Sequence, residues 1–520
     1  MKIHIPYFSR KITDSPYFFI VLFAILGLVG TLNHAMWRDE MNVWLIARDS
    51  ENFAALLDHI HYDRGHPALW HLLVTFVQKL WDNPLSMQLL HWTIAVGYIT
   101  LLWLYSPFKQ WEKILFTFGY LPFFEFILIS RNYGLGLFFL FLFCATFGIR
   151  QKTYLISSLC LVLMANSNIY GLFIANVLVL LLIVEWISDR SLRLYYLSHH
   201  QQKLDLILSI ILIVAGFIFA LYMIFPPVLN RDVLTEEVQV QGIKRLLVGF
   251  GRVLGGYTFL ISSQKQLWGL WICSILAFGL LINFSFKLRN KPLILGWYLV
   301  CNAQLLAVAY LSFPGRGSRH YGHFYLILIA ALWLASYYPD RFWLKTFKLK
   351  WLSQSSWKNW VQGCWIFVLV IQFGGGIYGF YQDFRIPYSA AKATSEFITS
   401  SHWDTEFIVG SRDINMAGIS GYLDRKLYYP ERGEFASFSL PLKYPRHDLE
   451  PNQVFDRVAH LLQSQANLPR ILFILNRPLD PTLYHLLPTI AIQPIQEFKK
   501  SWLDREKFYL YWAKRHELPL

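Results

Sequence analysis

The sequence predicts a polytopic α-helical membrane protein with a small C-terminal α/β domain. Three observations predict it. Of its 520 residues, 55% are hydrophobic and only 15% are charged, against roughly 25% charged in a soluble globule. The apolar residues fall in runs of about 18–22, long enough to cross a ~30 Å hydrocarbon core as helices. After residue 380 the pattern changes to short apolar runs set among polar ones.

Runs at 16–35, 86–105, 112–129, 133–150, 153–168, 171–187, 205–225, 266–284, 293–312, 322–338 and 361–380 predict about eleven transmembrane helices. The first has no small-residue cleavage site after it and is expected to stay as an anchor. Its N-terminal flank carries Lys2, Arg10 and Lys11. Further basic residues sit in alternate loops: Lys109 and Lys113, Arg150 and Lys152, Arg190, Arg193 and Lys203, Lys287, Arg289 and Lys291, and Arg341 to Lys358. With eleven spans all of these share one side, which predicts a cytoplasmic N-terminus and an extracytoplasmic C-terminal domain. The net charge of +14 therefore belongs beside anionic membrane lipid, and no nucleic-acid partner is expected. All five cysteines lie in apolar segments, so no disulfide framework is expected. The expected division is a transmembrane domain over 1–380, with an outer juxtamembrane loop at 37–81, and a soluble extracytoplasmic α/β domain over 381–520.

Within 37–81, helical spacing puts Trp37, Met41, Trp44 and Arg48 on one face, with Asp39 nearly opposite and Glu40 flanking. An aromatic face in lipid would aim Asp39 away from it. "SENFAALLDHI" places Ser50 as an N-cap. In "HPALWHLLVTFVQKLW" the stripe Leu69, Leu72, Leu73, Phe76, Val77 and Leu80 opposes His71, Thr75, Gln78 and Lys79, the pattern of a helix lying along the membrane. Residues 153–187 read as two helices meeting at the polar break "NSNIYG". Residues 226–262 read as a mobile loop followed by a helix against the membrane, in which "GFGRVLGG" reflects close helix packing. In the last domain "FIVG", "RILFIL" and "FYLYW" read as strands and "FDRVAHLLQSQ" as a helix.

Several residues could carry chemistry. Asp39 and Glu40 are either catalytic carboxylates or first-turn acids that favour a helix N-terminus. His61, Asp63 and His66 could ligate a metal, or His66 could simply precede a helix that starts at Pro67. Arg131 in "LISRNYGLG", and Arg316, Arg319, His320 and His323 in "FPGRGSRHYGHF", stand at outer junctions of spans. Arginine there suits phosphate, on a substrate or on a lipid headgroup. Glu125 is an acid within an apolar run, a partner for a basic group or a residue nearer the interface. Lys244 and Arg245 fall on the same outer side.

An Asp-Glu pair after the first span, then His66-Pro67-Ala68-Leu69, then Arg131-Asn132-Tyr133, resembles the GT-C membrane glycosyltransferases. The likeness is to the glycosyltransferase family 39 group, with its protein O-mannosyltransferases and lipid A aminoarabinose transferases. Arg319-His320-Tyr321 is similar to that group's late Arg-Tyr junction. Ala68 and Asn132 depart from it, since prolines are usual there, and the histidine of the polar break is missing. The resemblance implies a GT-C catalytic domain, a sugar donor on polyprenyl phosphate, and an acceptor hydroxyl on glycan, lipid or protein that attacks with inversion. Asp39 would be general base, with Glu40 assisting. Arg131, Arg319 and Arg316 would hold the departing phosphate, with His61, His66, Tyr133, Lys244, Arg245 and His320 as further substrate contacts. No metal or other cofactor is implied. Two other classes stay open: an outer-face polysaccharide ligase or polymerase, and a transporter or receptor.

Overall fold

The computed structural model describes residues 15–63, 66–225, 242–259, 266–311, 317–340, 355–443, 449–464, 468–482 and 490–515. The chain is a polytopic helical membrane protein with a C-terminal sheet domain. Among the described residues eight helices are long and apolar enough to span: Pro16–Asn33 (α1), Leu85–Tyr105, Tyr133–Gln151, Ile169–Ser188, His200–Ile224, Leu267–Leu288, Pro292–Leu311 and Trp357–Arg385. Three further expected spans are helical but differ in form. The run 112–129 breaks into Gln110–Thr117 and a π-helical turn, Leu121–Glu125, that contains Pro122. Proline supplies no N–H to an α-helical ladder, so the break has a local cause. The run 153–168 shortens to Leu155–Ala165. Ser318–Ala335 opens on Arg319, His320 and His323 and is less apolar than the eight.

The polar break is as expected: Asn168 caps Ile169–Ser188 by accepting from the Gly171 N–H at 2.8 Å. The glycine-rich helix Gly242–Thr258 crosses Ser318–Ala335 so closely that a Cβ on Gly256 would meet the Tyr321 carbonyl. The loop expected before that helix lies outside the described residues.

The first loop folds into α2 (Arg38–Asp49), α3 (Phe53–Tyr62) and α4 (Leu69–Leu80), and α5 is the span Leu85–Tyr105. Asn52, not Ser50, caps α3, accepting from the Ala55 N–H at 2.9 Å. In α4 the apolar stripe is the outward one, with Phe76 62% and Leu80 71% exposed, while His71 is buried. The expected aromatic, lipid-facing side of α2 is corrected. Trp37, Met41 and Trp44 are all buried, because helix Asp413–Tyr422 of the C-terminal domain lies on α2. A Cβ on Gly421 would strike the Met41 side chain, and the Tyr422 hydroxyl accepts from the Met36 N–H at 2.8 Å.

That domain follows the last span without a break in order, through Ala391–Ser400. Its sheet runs β3-β2-β1-β4-β6-β5, with β1 Ile408–Ser411, β2 Leu427–Tyr429, β3 Glu434–Ala436, β4 Arg470–Leu475, β5 Ile490–Phe498 and β6 Phe508–Arg515. β1 pairs in parallel with β2 and β4, and the other pairings are antiparallel. Helix Asp413–Tyr422 is the β1–β2 crossover, and this connection carries it onto α2. The expected helix is Pro451–Ser464.

Candidate active site

Asp39 is the second residue of α2, where a helix N-terminus favours negative charge. Its carboxylate is 29% exposed and faces cations from three parts of the chain. Arg38 Nε is 3.5 Å from Oδ1 and Arg131 Nη1 3.9 Å from Oδ2, and Arg131 also donates to the Asp39 main-chain carbonyl. Burial works against ionisation, but Arg131, Arg38 and Arg319 more than offset it and hold the carboxyl below its usual value.

Arg131 is set by the segment between the π-turn and helix Tyr133–Thr146. Asn168 of the polar break donates to the Asn132 carbonyl at 3.2 Å, fixing that junction. His66 lies 3.4 Å from both Arg131 Nη2 and Asn132 Nδ2. Burial pushes His66 down to about 4, against the pull of Asp63, so the ring is neutral at pH 7. Tyr133 and His320 are 3.3 Å apart, Oη to Nδ1. Arg319 lies over the Trp37 ring at 4.8 Å and pairs with Glu125 at 3.7 Å. Three buried donors here have no hydrogen-bond acceptor: Trp37 Nε1, Arg38 Nε and an Arg319 Nη1. Two buried acceptors of the same cluster, Asn132 Oδ1 and Glu506 Oε1, also lack a donor; buried polar groups are normally satisfied, so the cluster has unmet hydrogen-bonding capacity of both kinds.

Glu40 needs correction as a residue facing substrate. It is fully buried and accepts from the Ser130 and Trp37 N–H groups at 2.5 and 3.2 Å. His34 Nε2 lies 3.1 Å away, and His34 Nδ1 is 3.0 Å from both Asp383 oxygens. Burial opposes the charge on His34, but Asp383 and Glu40 carry it to about 10, so it is an imidazolium between two carboxylates. Glu40 thus ties α2 to the chain before Arg131 and, through His34, to the end of the last span.

His61 is not part of the cluster: its Nε2 bonds the Phe225 carbonyl at 2.9 Å. Asp63 turns to Asn42 and His71, each at 3.2 Å. No group of three or more histidine, cysteine or acidic side chains is arranged to hold a metal among the described residues. Lys244 is exposed, and Arg245 reaches the Leu311 carbonyl at 2.5 Å and the Tyr310 ring; neither contacts Asp39. Arg316 lies outside the described residues.

No motif or spacing pointed to the C-terminal contribution. Arg38 also donates to Asn415 and lies 3.8 Å from Glu506, which is fully buried. Burial pushes Glu506 up to about 8, with Arg38 acting against the rise. Tyr388 packs edge-on to Trp37 at 5.9 Å, and Trp502 stacks on Phe124 at 5.2 Å. Arg38 is adjacent to Asp39 in the sequence but belongs to none of the motifs read there.

Comparison of the whole fold finds a similar fold among solved structures. The chain has the ArnT fold. The structure of ArnT from Cupriavidus metallidurans bound to undecaprenyl phosphate aligns over 96% of this chain and 98% of its own, at 11% identity and a TM-score of 0.51. Its apo form aligns with the same coverage at 12% identity and a TM-score of 0.48. No family profile matches this chain, and no curated protein does.

Proposed function

We propose that this chain is a GT-C glycosyltransferase that moves a sugar from a polyprenyl-phosphate donor to an acceptor hydroxyl on glycan, lipid or protein. One observation carries the reading: an ionised, partly exposed carboxylate, Asp39, stands among Arg38, Arg131 and Arg319, with buried donors that lack acceptors beside it. A base and a phosphate cradle are the two things the reaction needs together. The shared fold with an ArnT bound to undecaprenyl phosphate supports the donor class.

The acceptor oxygen attacks the anomeric carbon as its proton passes to Asp39. The bond from that carbon to the lipid-phosphate oxygen breaks, and the configuration inverts. Arg131 and Arg319 stabilise the phosphate that leaves, while the Trp37 indole N–H offers it or the sugar a further donor. The neutral His66 holds Arg131 in place without adding charge. These guanidinium groups supply the positive charge, so the proposal invokes no metal. The site faces outward, with the N-terminus cytoplasmic and the C-terminal domain outside. The test is transfer in membranes supplied with a polyprenyl-phosphate sugar: Asp39→Asn abolishes it, and retained transfer removes the proposal.

A further inference from the structure

The C-terminal sheet reverses its strand order at β1. From β1 the chain crosses to β2 through helix Asp413–Tyr422, and it later returns to β4 on the other side of β1. Helix Asp413–Tyr422 packs on the Ile408 face of the sheet and helix Pro451–Ser464 on the Val409 face. The two connections therefore part at the carboxyl ends of β1 and β4. An open α/β sheet leaves a ligand crevice at such a switch point.

These strand ends carry oxygens to spare. Ser411 closes β1, and its hydroxyl donates to Glu431, two residues past β2. Asn476 follows β4 directly, and its N–H bonds the Ser411 carbonyl at 3.2 Å. Glu506 stands two residues before β6, whose Tyr509 pairs with Leu475 at the end of β4. Glu431 Oε2, Asn476 Oδ1 and Glu506 Oε1 have no hydrogen-bond partner. Neighbouring strands lie ~4.8 Å apart, so the row from β2 to β6 runs about 14 Å, three spacings. Glu431 and Asn476 are partly exposed, which leaves the row reachable.

The arginines at these ends are already taken up. Arg432 holds Asp413 at 2.8 Å, Arg477 holds Glu450 at 3.3 Å, Arg457 donates to the Pro430 carbonyl, and Arg412 has a partner too. What the row needs is a set of donors, not an anion. It also ends at the transferase cluster. Arg38 donates to Asn415, in the first turn of helix Asp413–Tyr422, and lies 3.8 Å from Glu506 and 3.5 Å from Asp39.

We propose that this crevice binds the acceptor of the transfer reaction, and that the acceptor is a saccharide chain whose hydroxyls bond Glu431, Asn476 and Glu506 and whose next hydroxyl reaches Asp39. The assignment rests on the transferase reading and deepens it. Burial pushes Glu431 up to about 7 and Glu506 up to about 8. A hydroxyl both donates and accepts, so it suits either carboxyl in either state. A peptide would bring main-chain carbonyls to the same row, and these cannot donate to it.

The test is transfer by the purified full chain from a saturating polyprenyl-phosphate sugar. The acceptor probe is the source cell's own membranes, taken from cells lacking this chain, solubilised in the assay detergent and titrated. Asn476→Ala removes one oxygen and keeps the main-chain bond to Ser411. Glu431→Gln keeps an oxygen for Ser411 and turns an NH₂ into the row. Each loses about one hydrogen bond to the acceptor, which raises the apparent KM for the membrane extract up to about tenfold. The KM for the donor, kcat and the melting temperature hold, and Asn476→Asp, which keeps the oxygen, restores the wild-type value. Protease treatment of the membranes leaves their acceptor capacity, and periodate cleavage of vicinal diols removes it. With the wild type transferring, an unchanged extract KM in both variants or an equal rise in the donor KM overturns the crevice assignment and leaves the transferase reading standing. Capacity lost to protease and not to periodate overturns the saccharide class. A wild type that transfers nothing refutes the transferase reading itself, and this assignment with it.

Discussion

Asp39 and Glu40 are neighbours in sequence, and changing each to its amide has opposite expected outcomes. Asp39 is 29% exposed with its cations at 3.5 and 3.9 Å. Ion pairs so long and partly hydrated contribute about 1 kcal/mol or less. Asp39→Asn therefore extracts and melts like the wild type. It loses the proton acceptor, which costs roughly 10²–10⁴-fold in rate. Glu40 is fully buried, accepts two main-chain N–H groups and faces the His34 imidazolium at 3.1 Å. An amide offers one acceptor oxygen, turns an NH₂ toward a donor, and leaves the cation with Asp383 alone. Breaking a buried pair of this kind costs about 3–5 kcal/mol. Glu40→Gln should yield little folded protein and melt far below the wild type. The assays are detergent melting curves and sugar transfer by purified protein at matched folded concentration. A Glu40→Gln protein that melts normally but cannot transfer refutes the division of roles. So does an Asp39→Asn protein that transfers.

Arg131→Ala is expected to cut transfer roughly 10²-fold, the cost of one preorganised donor to a developing anion, in single-turnover assays. Asp39 is held below the ordinary carboxylate value by its arginines, so it stays ionised on mild acidification. Transfer should persist from pH 7 to about pH 5 and fall only below the usual carboxylate range near 3.9; a limb near pH 6 assigns the base elsewhere. His34 gives a stability limb of the opposite sense. Its raised value means that its stabilisation is complete below about 6.5 and is lost as pH rises through about 10, which melting curves at pH 7–11 check. Chelation by EDTA should leave the rate unchanged, whereas loss restored by an added cation overturns the metal-free step.

Much of this was legible because it needed only composition or local spacing. Apolar windows, the polar break at "NSNIYG" and the paired motifs are short-range signals. The burial of α2 was not, because its cover comes from Tyr422 and its neighbours, 386 residues from Met36 in the chain. Without that cover, Trp37, Met41 and Trp44 read as a face for lipid. β2 and β3 have three residues each, too few for a period. β5 holds Pro494 among polar residues, which argues against a strand; the sheet tolerates it because β5 is an edge. Asp39, Arg131 and Arg319 were found by type and topology. Glu506 carries no motif, and only the fold brings it to Arg38.

That contact makes the C-terminal domain part of the site. Arg38 stands between Asp39 at 3.5 Å and Glu506 at 3.8 Å. While Glu506 is protonated, below about 8, Asp39 is the only charged acid of the two and Arg38 serves it. Once Glu506 ionises, it competes for the same guanidinium. The field on Asp39 weakens, and so does the positive charge near the leaving phosphate. Wild-type transfer should therefore decline as pH rises through about 8. Glu506→Gln keeps the hydrogen bond from Ser389, seen at 2.8 Å, and cannot ionise, so its rate should stay level across that range. A merely structural role for Glu506 would change melting temperature without moving the limb. The same alkaline decline in Glu506→Gln as in the wild type would break the link between the C-terminal domain and the base.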